Sequence, residues 1–415
     1  MVSHVNAEDL SERLSEKIAR ADPAIFYQLF HPTGETITGP LSNKKISIKS
    51  TFDVKGYCTT MGTKLLQNNL ARQDAISVER LRNAGAHLVG HTNMTELAYS
   101  GLGLNPHYGT AKNPLDETRI PGGSTSGGAV SVAAGIVDIA LGTDTGGSLR
   151  IPAAFCGLVG FKPSQSSVPR QGCLPLSDSL DSVGPIARSV KDCRLAWQVM
   201  SELVLSDHAL DGIPTFVVPT NFGFDGMDAD VAHRFDEAVQ RLIEAGYAVE
   251  KREVSWFEDY KALPIWHFSA VEGSRYYAER FALDSDDLDP RVKSRLAKAE
   301  QVSDAEFQQS LQLRAQLIAQ FTHQFKDKVL LMPTVAINAP KFADLESEQG
   351  YNELNLMCLR NTSVANVADA CSVSLPMVAN SLSSGLMLTM ANGCDQHLLN
   401  VAEQVEALIS APFEI

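Results

Sequence analysis

P-G-G-S-T-S-G-G-A-V-S-V-A-A-G-I-V-D-I-A-L-G-T-D-T-G-G-S, residues 121–148, is the stretch from which the rest of the chain can be read. Two glycine-serine turns, Gly122-Gly123-Ser124 and Gly146-Gly147-Ser148, flank a run of small residues and a short apolar segment. Glycine lets a backbone turn sharply and come close to another group. A serine at such a turn can be presented as a nucleophile, with neighbouring N–H groups free to hold an oxyanion. A flexible linker would lack the apolar pairs Ala129-Val130 and Ile136-Val137. The stretch therefore reads as turn, small-residue helix over Ser126 to Ala134, buried strand over Val137 to Leu141, and turn.

Toward the N-terminus, Leu10, Leu14 and Ile18 recur at four-residue spacing and predict an amphipathic helix over Ala7 to Arg20. His31 to Asn43 is turn-rich. Lys45-Ile46-Ser47-Ile48-Lys49 alternates and predicts a strand with Ile46 and Ile48 on one face and Lys49 on the other. A helix over Asp74 to Ala84, stopped by Gly85, leads to a strand at Leu88-Val89-Gly90. Toward the C-terminus come a helix over Val190 to Leu203, a strand over Thr215 to Val218, a helix over Asp228 to Ala245 and a strand over Ala248 to Val254. The acidic run Asp284 to Pro290 reads as a solvated loop. Ser303 and Glu306 form a capping-box pattern that opens a long helix through Phe325. Strands alternating with helices give an α/β layered sheet.

The 415 residues carry 35 basic and 49 acidic side chains, a net charge of −14. That balance argues against nucleic acid or an anionic membrane as the main partner. Seven cysteines without a C-x-x-C pair read as reduced thiols of a cytoplasmic protein, and no stretch is apolar for long enough to span a membrane. His87 and His91 lie four apart, but strand-like surroundings and the lack of a third ligand argue against a metal. No P-loop, dinucleotide fingerprint, H-E-x-x-H or G-x-S-x-G supports a rival chemistry.

G-G-S-T-S-G-G followed by G-T-D-T-G-G-S-L-R-I-P-A-A-F-C-G-L-V-G-F-K-P-S resembles the core of the amidase signature family. H-T-N-M-T-E-L-A-Y-S-G, S-L-D-S-V-G-P and S-G-L-M-L resemble further family blocks. The resemblance implies a large mixed β-sheet covered by helices on both faces. It also implies a hydrolase that cleaves the C–N bond of a small carboxamide to carboxylate and ammonia without metal or organic cofactor. Ser148 would be the nucleophile, Ser124 the bridging serine after a cis peptide, and Lys49 the base. Ser126 is the alternative bridging serine, read otherwise as a helix-terminus residue. Thr145, Gly146, Gly147 and Ser148 would supply the oxyanion hole, and Ala98, Tyr99 and Ser100 would line the acyl pocket.

Two positions depart from the family pattern: Ser50 replaces an acidic residue and His91 a lysine. In size the chain resembles compact malonamidase-type members. These carry an arginine three residues after the nucleophile, where this chain has Ile151, while Arg150 follows the commoner pattern and reads as structural. The resemblance also allows a second function, the glutaminase subunit of a tRNA-dependent amidotransferase, and suggests a homodimer. One amidase domain over 1–415 is expected. It would comprise an N-terminal helical segment (1–43), a signature core (44–205), a variable subregion over the site (206–325) and a C-terminal return to the core sheet (326–415).

Overall fold

The computed structural model describes residues 7–31, 37–201, 214–379 and 382–410. Its strands, in chain order, are β1 (Phe26–Leu29), β2 (Lys45–Lys49), β3 (His87–Thr92), β4 (Ile139–Asp144), β5 (Val159–Lys162), β6 (Ser182–Ala187), β7 (Thr215–Pro219), β8 (Val249–Arg252), β9 (Lys328–Pro333), β10 (Cys371–Ala379) and β11 (Leu382–Met390). They form one 11-stranded sheet in the order β1-β3-β2-β4-β6-β5-β10-β11-β9-β7-β8. The sheet is mixed. β3, β2 and β4 run parallel, as do β9, β7 and β8, while the strands between them pair antiparallel.

Alternation along the strands sorts the helices onto two faces. Ile46, Ile48, Ile139 and Leu141 share a core with α2 (Ile76–Asn83), α5 (Val190–Ser201), α6 (Ala229–Glu244) and α12 (Asp395–Ser410). On the opposite face Ala140 packs with α3 (Ser126–Ala133), α4 (Arg150–Cys156) and Leu14 of α1 (Ala7–Arg20). Further along that face, Val217, Leu330 and Met387 pack with α7 (Trp256–Ala262), α8 (Trp266–Ala278), α10 (Asp304–Phe325) and α11 (Glu348–Val367). A further helix, α9 (Pro290–Ala297), joins α8 in a cluster that includes Ala98 and Tyr99.

Most predicted elements form within a residue or two of their expected ends. Leu14 and Ile18 pack as the α1 stripe requires; Leu10 lies outside the described side chains, and Leu203 outside the described residues. The capping box is present, with Ser303 Oγ accepting from the Glu306 N–H. The acidic loop departs from expectation at its end. Asp289 is buried, caps α9 by accepting from the Arg291 N–H, and pairs with the Arg291 guanidinium. Pro290 supplies the first helical position, where a missing N–H costs nothing. Helix α4 is not foreshadowed in the stretch from Ile151 to Ser164, because Pro152 and the scattered glycines mask a short buried helix. Gly157, with φ of 70°, ends it in the left-handed region. The stretch 206–325 joins the main sheet, since it supplies β7 and β8.

The small residues of α3 let it lie against the chain beneath. A Cβ at Gly127 would stand 2.3 Å from the Ile25 carbonyl oxygen and 2.8 Å from that of Asn93. Gly127→Ala should therefore lift α3 from its seat and destabilise the protein by about 1–3 kcal/mol. Urea unfolding of the variant against the parent measures this.

Candidate active site

Strand β2 ends at Lys49, which points to the α3 side, as does Ser47, whose hydroxyl lies 3.0 Å from that of Ser131 on α3. Lys49 is wholly buried. Its Nζ donates to Ser124 Oγ at 2.8 Å and to Thr143 Oγ1 at 2.8 Å, and it lies 3.4 Å from the Thr143 carbonyl oxygen. Burial lowers the amine to about 7, against opposing influences from Cys173, Asp181 and Asp144. Lys49 reaches Ser124; Ser126 instead opens α3. The peptide bond between Gly123 and Ser124 is cis, as the resemblance implies.

Ser148 sits where β4 gives way to α4. The Thr125 N–H, one residue after Ser124, donates to the Ser148 carbonyl at 3.3 Å, so the two glycine-serine turns are joined. Asp144 organises the second turn. Its Oδ1 accepts from the Gly147 N–H at 2.8 Å, and its Oδ2 from the Leu149 N–H at 3.0 Å. The Arg150 guanidinium grips the same carboxylate through Nη2 at 2.8 Å and Nε at 3.1 Å, with both side chains fully buried. Burial alone would raise the Asp144 carboxyl, but Arg150 holds it down to about 2. Asn366 of α11 closes the group, accepting from Arg150 Nη2 and donating to Asp144. Arg150 is thus structural, as its sequence context suggests.

The four residues assigned to the oxyanion hole share this turn, but their N–H groups differ. That of Gly147 already has Asp144 as its acceptor. The carbonyl of Gly146 is held by Thr362 Oγ1 at 2.5 Å and Ser363 Oγ at 3.4 Å, both from α11. Thr145 Oγ1 donates to Asp181 Oδ1 at 2.5 Å. Asp181 is buried, which lifts its carboxyl to about 6. Thr143, Asp144, Asp181, Thr362 and Asn366 are not assigned to the site by sequence reasoning. The first two stand inside the quoted motif. Those on α11 follow the motif by some two hundred residues and carry no local signal.

Ala98, Tyr99 and Ser100 are all buried. Ala98 and Tyr99 belong to an apolar cluster with Met61, Leu97, Leu176 and Tyr277. The Tyr99 hydroxyl donates to the Ser269 carbonyl on α8 at 2.7 Å. Ser100 Oγ donates to Asn355 Oδ1 of α11 at 2.9 Å. Of the two paired histidines, His91 bonds the Phe52 carbonyl through Nε2, and burial lowers it to about 4. Thr143, which accepts from Lys49 Nζ, also lines a cavity of about 750 Å³ together with Arg170, Cys173, Asp181 and Tyr276.

The family model described as Amidase matches residues 30–399. The chain belongs to the amidase family. It is 33% identical over 389 residues to 2-amino-5-chloromuconic acid deaminase of Comamonas testosteroni, covering 89% of this chain and 82% of that protein. It is 31% identical over 438 residues to a subunit of the glutamyl-tRNA(Gln) amidotransferase of Carboxydothermus hydrogenoformans, covering 94% of this chain and 87% of that one. A crystal structure of an amidase superposes with a TM-score of 0.82 at 29% identity, covering 98% of this chain and 91% of the other. The protein is accordingly an amidase-signature enzyme on a large mixed sheet with helices on both faces.

Replacing one member of the buried ion pair leaves its partner charged and unpaired. Arg150→Met should cost about 3–5 kcal/mol by that reasoning, seen as a lower unfolding midpoint in guanidinium chloride.

Proposed function

We propose that this amidase cleaves the C–N bond of a small carboxamide through an acyl-enzyme on Ser148. The observation that carries the reading is the wholly buried Lys49, whose amine is lowered to about 7 and lies 2.8 Å from Ser124 Oγ. A serine hydroxyl needs a base, and a lysine can serve only when neutral. A neutral amine has two N–H donors and one lone pair. Thr143 offers two acceptors, its hydroxyl and its carbonyl, so on losing its proton the amine turns its lone pair to Ser124, to which the charged form donates.

Ser148 Oγ attacks the amide carbonyl carbon while its proton moves to Ser124 and that of Ser124 to Lys49. Negative charge gathers on the carbonyl oxygen, held by N–H groups of Thr145, Gly146 and Ser148. The Gly147 N–H contributes least, since Asp144 already accepts it. The C–N bond breaks as the proton from Lys49 returns through Ser124 to the leaving nitrogen, releasing ammonia. Water then attacks the ester, giving its proton to the same relay, and the carboxylic acid leaves with Ser148 restored. No step calls for a cofactor.

Residues 206–325 act as the variable subregion over the site within one catalytic domain. Support comes from how α8 and α9 dock: Glu272 accepts from Ser179 Oγ at 2.5 Å, the Asp289 N–H donates to Glu96 at 2.7 Å, and Arg295 donates to the Tyr99 carbonyl. All seven cysteines are free thiols, which supports a cytoplasmic setting. Among the described residues no helix is long and apolar enough to cross a membrane.

A glutaminase subunit is the second reading, favoured by the 31% identity to the amidotransferase relative over 94% of the chain. Ammonia release by the purified chain from a panel of aliphatic, aromatic, dicarboxylate and ureido amides supports stand-alone hydrolysis. Release from glutamine only with a partner protein supports the alternative. Ser148→Ala should abolish turnover and labelling by a fluorophosphonate, and wild-type rates in Lys49→Met would overturn the relay.

The base must be unprotonated, so kcat/KM should rise about tenfold per pH unit below the Lys49 value of about 7 and level off above it. The effect on stability has the same sign. Between about 7 and the ordinary lysine value the unfolded chain binds the proton that the folded one lacks, so stability rises with pH across that window. A pH–rate profile tests the first statement, and unfolding midpoints of the parent against Lys49→Met test the second.

A further inference from the structure

Asn355 stands on α11, four residues before Leu359 and eight before Ser363, on one face of the helix. The far end of that face meets the nucleophile turn, where Ser363 Oγ and Thr362 Oγ1 hold the Gly146 carbonyl. Leu359 lies between. A Cβ placed on Gly146 would stand 3.4 Å from Leu359 Cδ2, and one placed on Gly101 3.5 Å from the same atom. The near end meets the other wall, where Asn355 Oδ1 accepts from the Gly101 N–H at 3.0 Å and from Ser100 Oγ at 2.9 Å. Gly101 in turn accepts from the Gly123 N–H at 2.8 Å, directly before Ser124. Asn355 is therefore tied to the backbone that carries the bridging serine.

The Gly101 contact also orients the amide. An N–H needs an acceptor, and only the oxygen of an asparagine side chain is one, so Oδ1 faces Gly101 and Nδ2 faces the other way. Asn355 is only 4% exposed, yet its Nδ2 has no acceptor among the described residues. Buried amide donors are ordinarily satisfied. Nor is this nitrogen among the fully enclosed, partnerless side-chain atoms, so it retains an opening to space. Ser100 cannot play the same part, because its proton goes to Asn355 and its oxygen accepts from the Leu102 N–H at 3.1 Å.

We propose that Asn355 is a specificity-determining residue whose Nδ2 donates to an oxygen on the acyl portion of the substrate. The proposal rests on the amidase reading above and deepens it. Eight residues of helix separate Asn355 from Ser363, roughly 12 Å along the axis. The preferred substrates are therefore amides whose acyl chain bears a carboxylate or ketone oxygen well removed from the scissile bond. Plain alkyl amides leave the donor unpaired and are discriminated against.

Binding of the product acids tests this without relying on turnover. Calorimetry with adipate, 5-oxohexanoate and hexanoate separates a distal carboxylate, a distal ketone and neither. The wild type should bind at least one of the first two about tenfold more tightly than hexanoate, as one neutral hydrogen bond allows. Asn355→Asp keeps an acceptor for Gly101 and Ser100 but loses the donor, so that preference should fall about tenfold. Asn355→Leu removes both and should also lower the unfolding midpoint. A purely structural asparagine would instead leave the preference intact in Asn355→Asp. That result, or equal affinity of the wild type for all three acids, overturns the proposal. Fluorophosphonate labelling of Ser148 in the same preparation separates the two readings. Labelling without discrimination among the acids removes the role of Asn355, while discrimination without labelling removes the acyl-enzyme.

Discussion

Asp144 and Arg150 are both buried from water, and the carboxylate that Arg150 neutralises holds the turn carrying Ser148. One Asp144 oxygen takes the Gly147 N–H and the other the Leu149 N–H, so the backbone on either side of the serine is fixed by one side chain. Such a carboxylate is tolerable in the interior only because it is paired and its lone pairs are occupied. Asn366 completes the set from α11, a distant helix. The geometry around Ser148 is thus a property of the whole fold and not of the glycine-serine loop alone.

Lys49 and Lys162 show how the same interior treats charge in two ways. Each is fully buried at the end of a strand, and burial lowers each amine, Lys49 to about 7 and Lys162 to about 8. Lys162 donates to Ser182 Oγ and to the Pro163 carbonyl. Lys49 meets Ser124. Each lysine thus lies beside a serine hydroxyl, and what differs is where that serine stands: Ser182 is on β6, whereas Ser124 belongs to a turn whose next residue, Thr125, bonds the Ser148 carbonyl. The strand end that delivers Lys49 there is set by the parallel pairing of β2 with β3 and β4.

Much of this is legible in the sequence, for reasons that differ by region. Strand β2 and helix α3 declare themselves through short-range pattern, alternation in one case and small residues after a turn in the other. Ser303 and Glu306 mark a helix start by chemistry internal to four residues. The opposite holds for α4, whose proline and flanking glycines hide a helix stabilised by burial. The contributions of α11 are equally hidden. Asn355, Thr362 and Asn366 are unremarkable polar residues in a helix, and only its docking against Gly101, Gly146 and Asp144 gives them a task. Buried Asp289 runs against its pattern, because an acidic run normally stays in water and its partner Arg291 makes the exception.

The strand order has a bearing on biosynthesis. β1 to β6 form one contiguous block of the sheet, whereas β7 and β8 reach that block only through β9, β11 and β10. A chain emerging from the ribosome, N-terminus first, can assemble the block bearing Lys49, Ser124 and Ser148 early. The β7–β8 edge has no place to dock until the last hairpin has been made. Asn366, which steadies Asp144, arrives just ahead of that hairpin. Until that hairpin and α11 are in place, the block bearing Ser148 lacks the contacts from Asn366 and Thr362 that steady its turn.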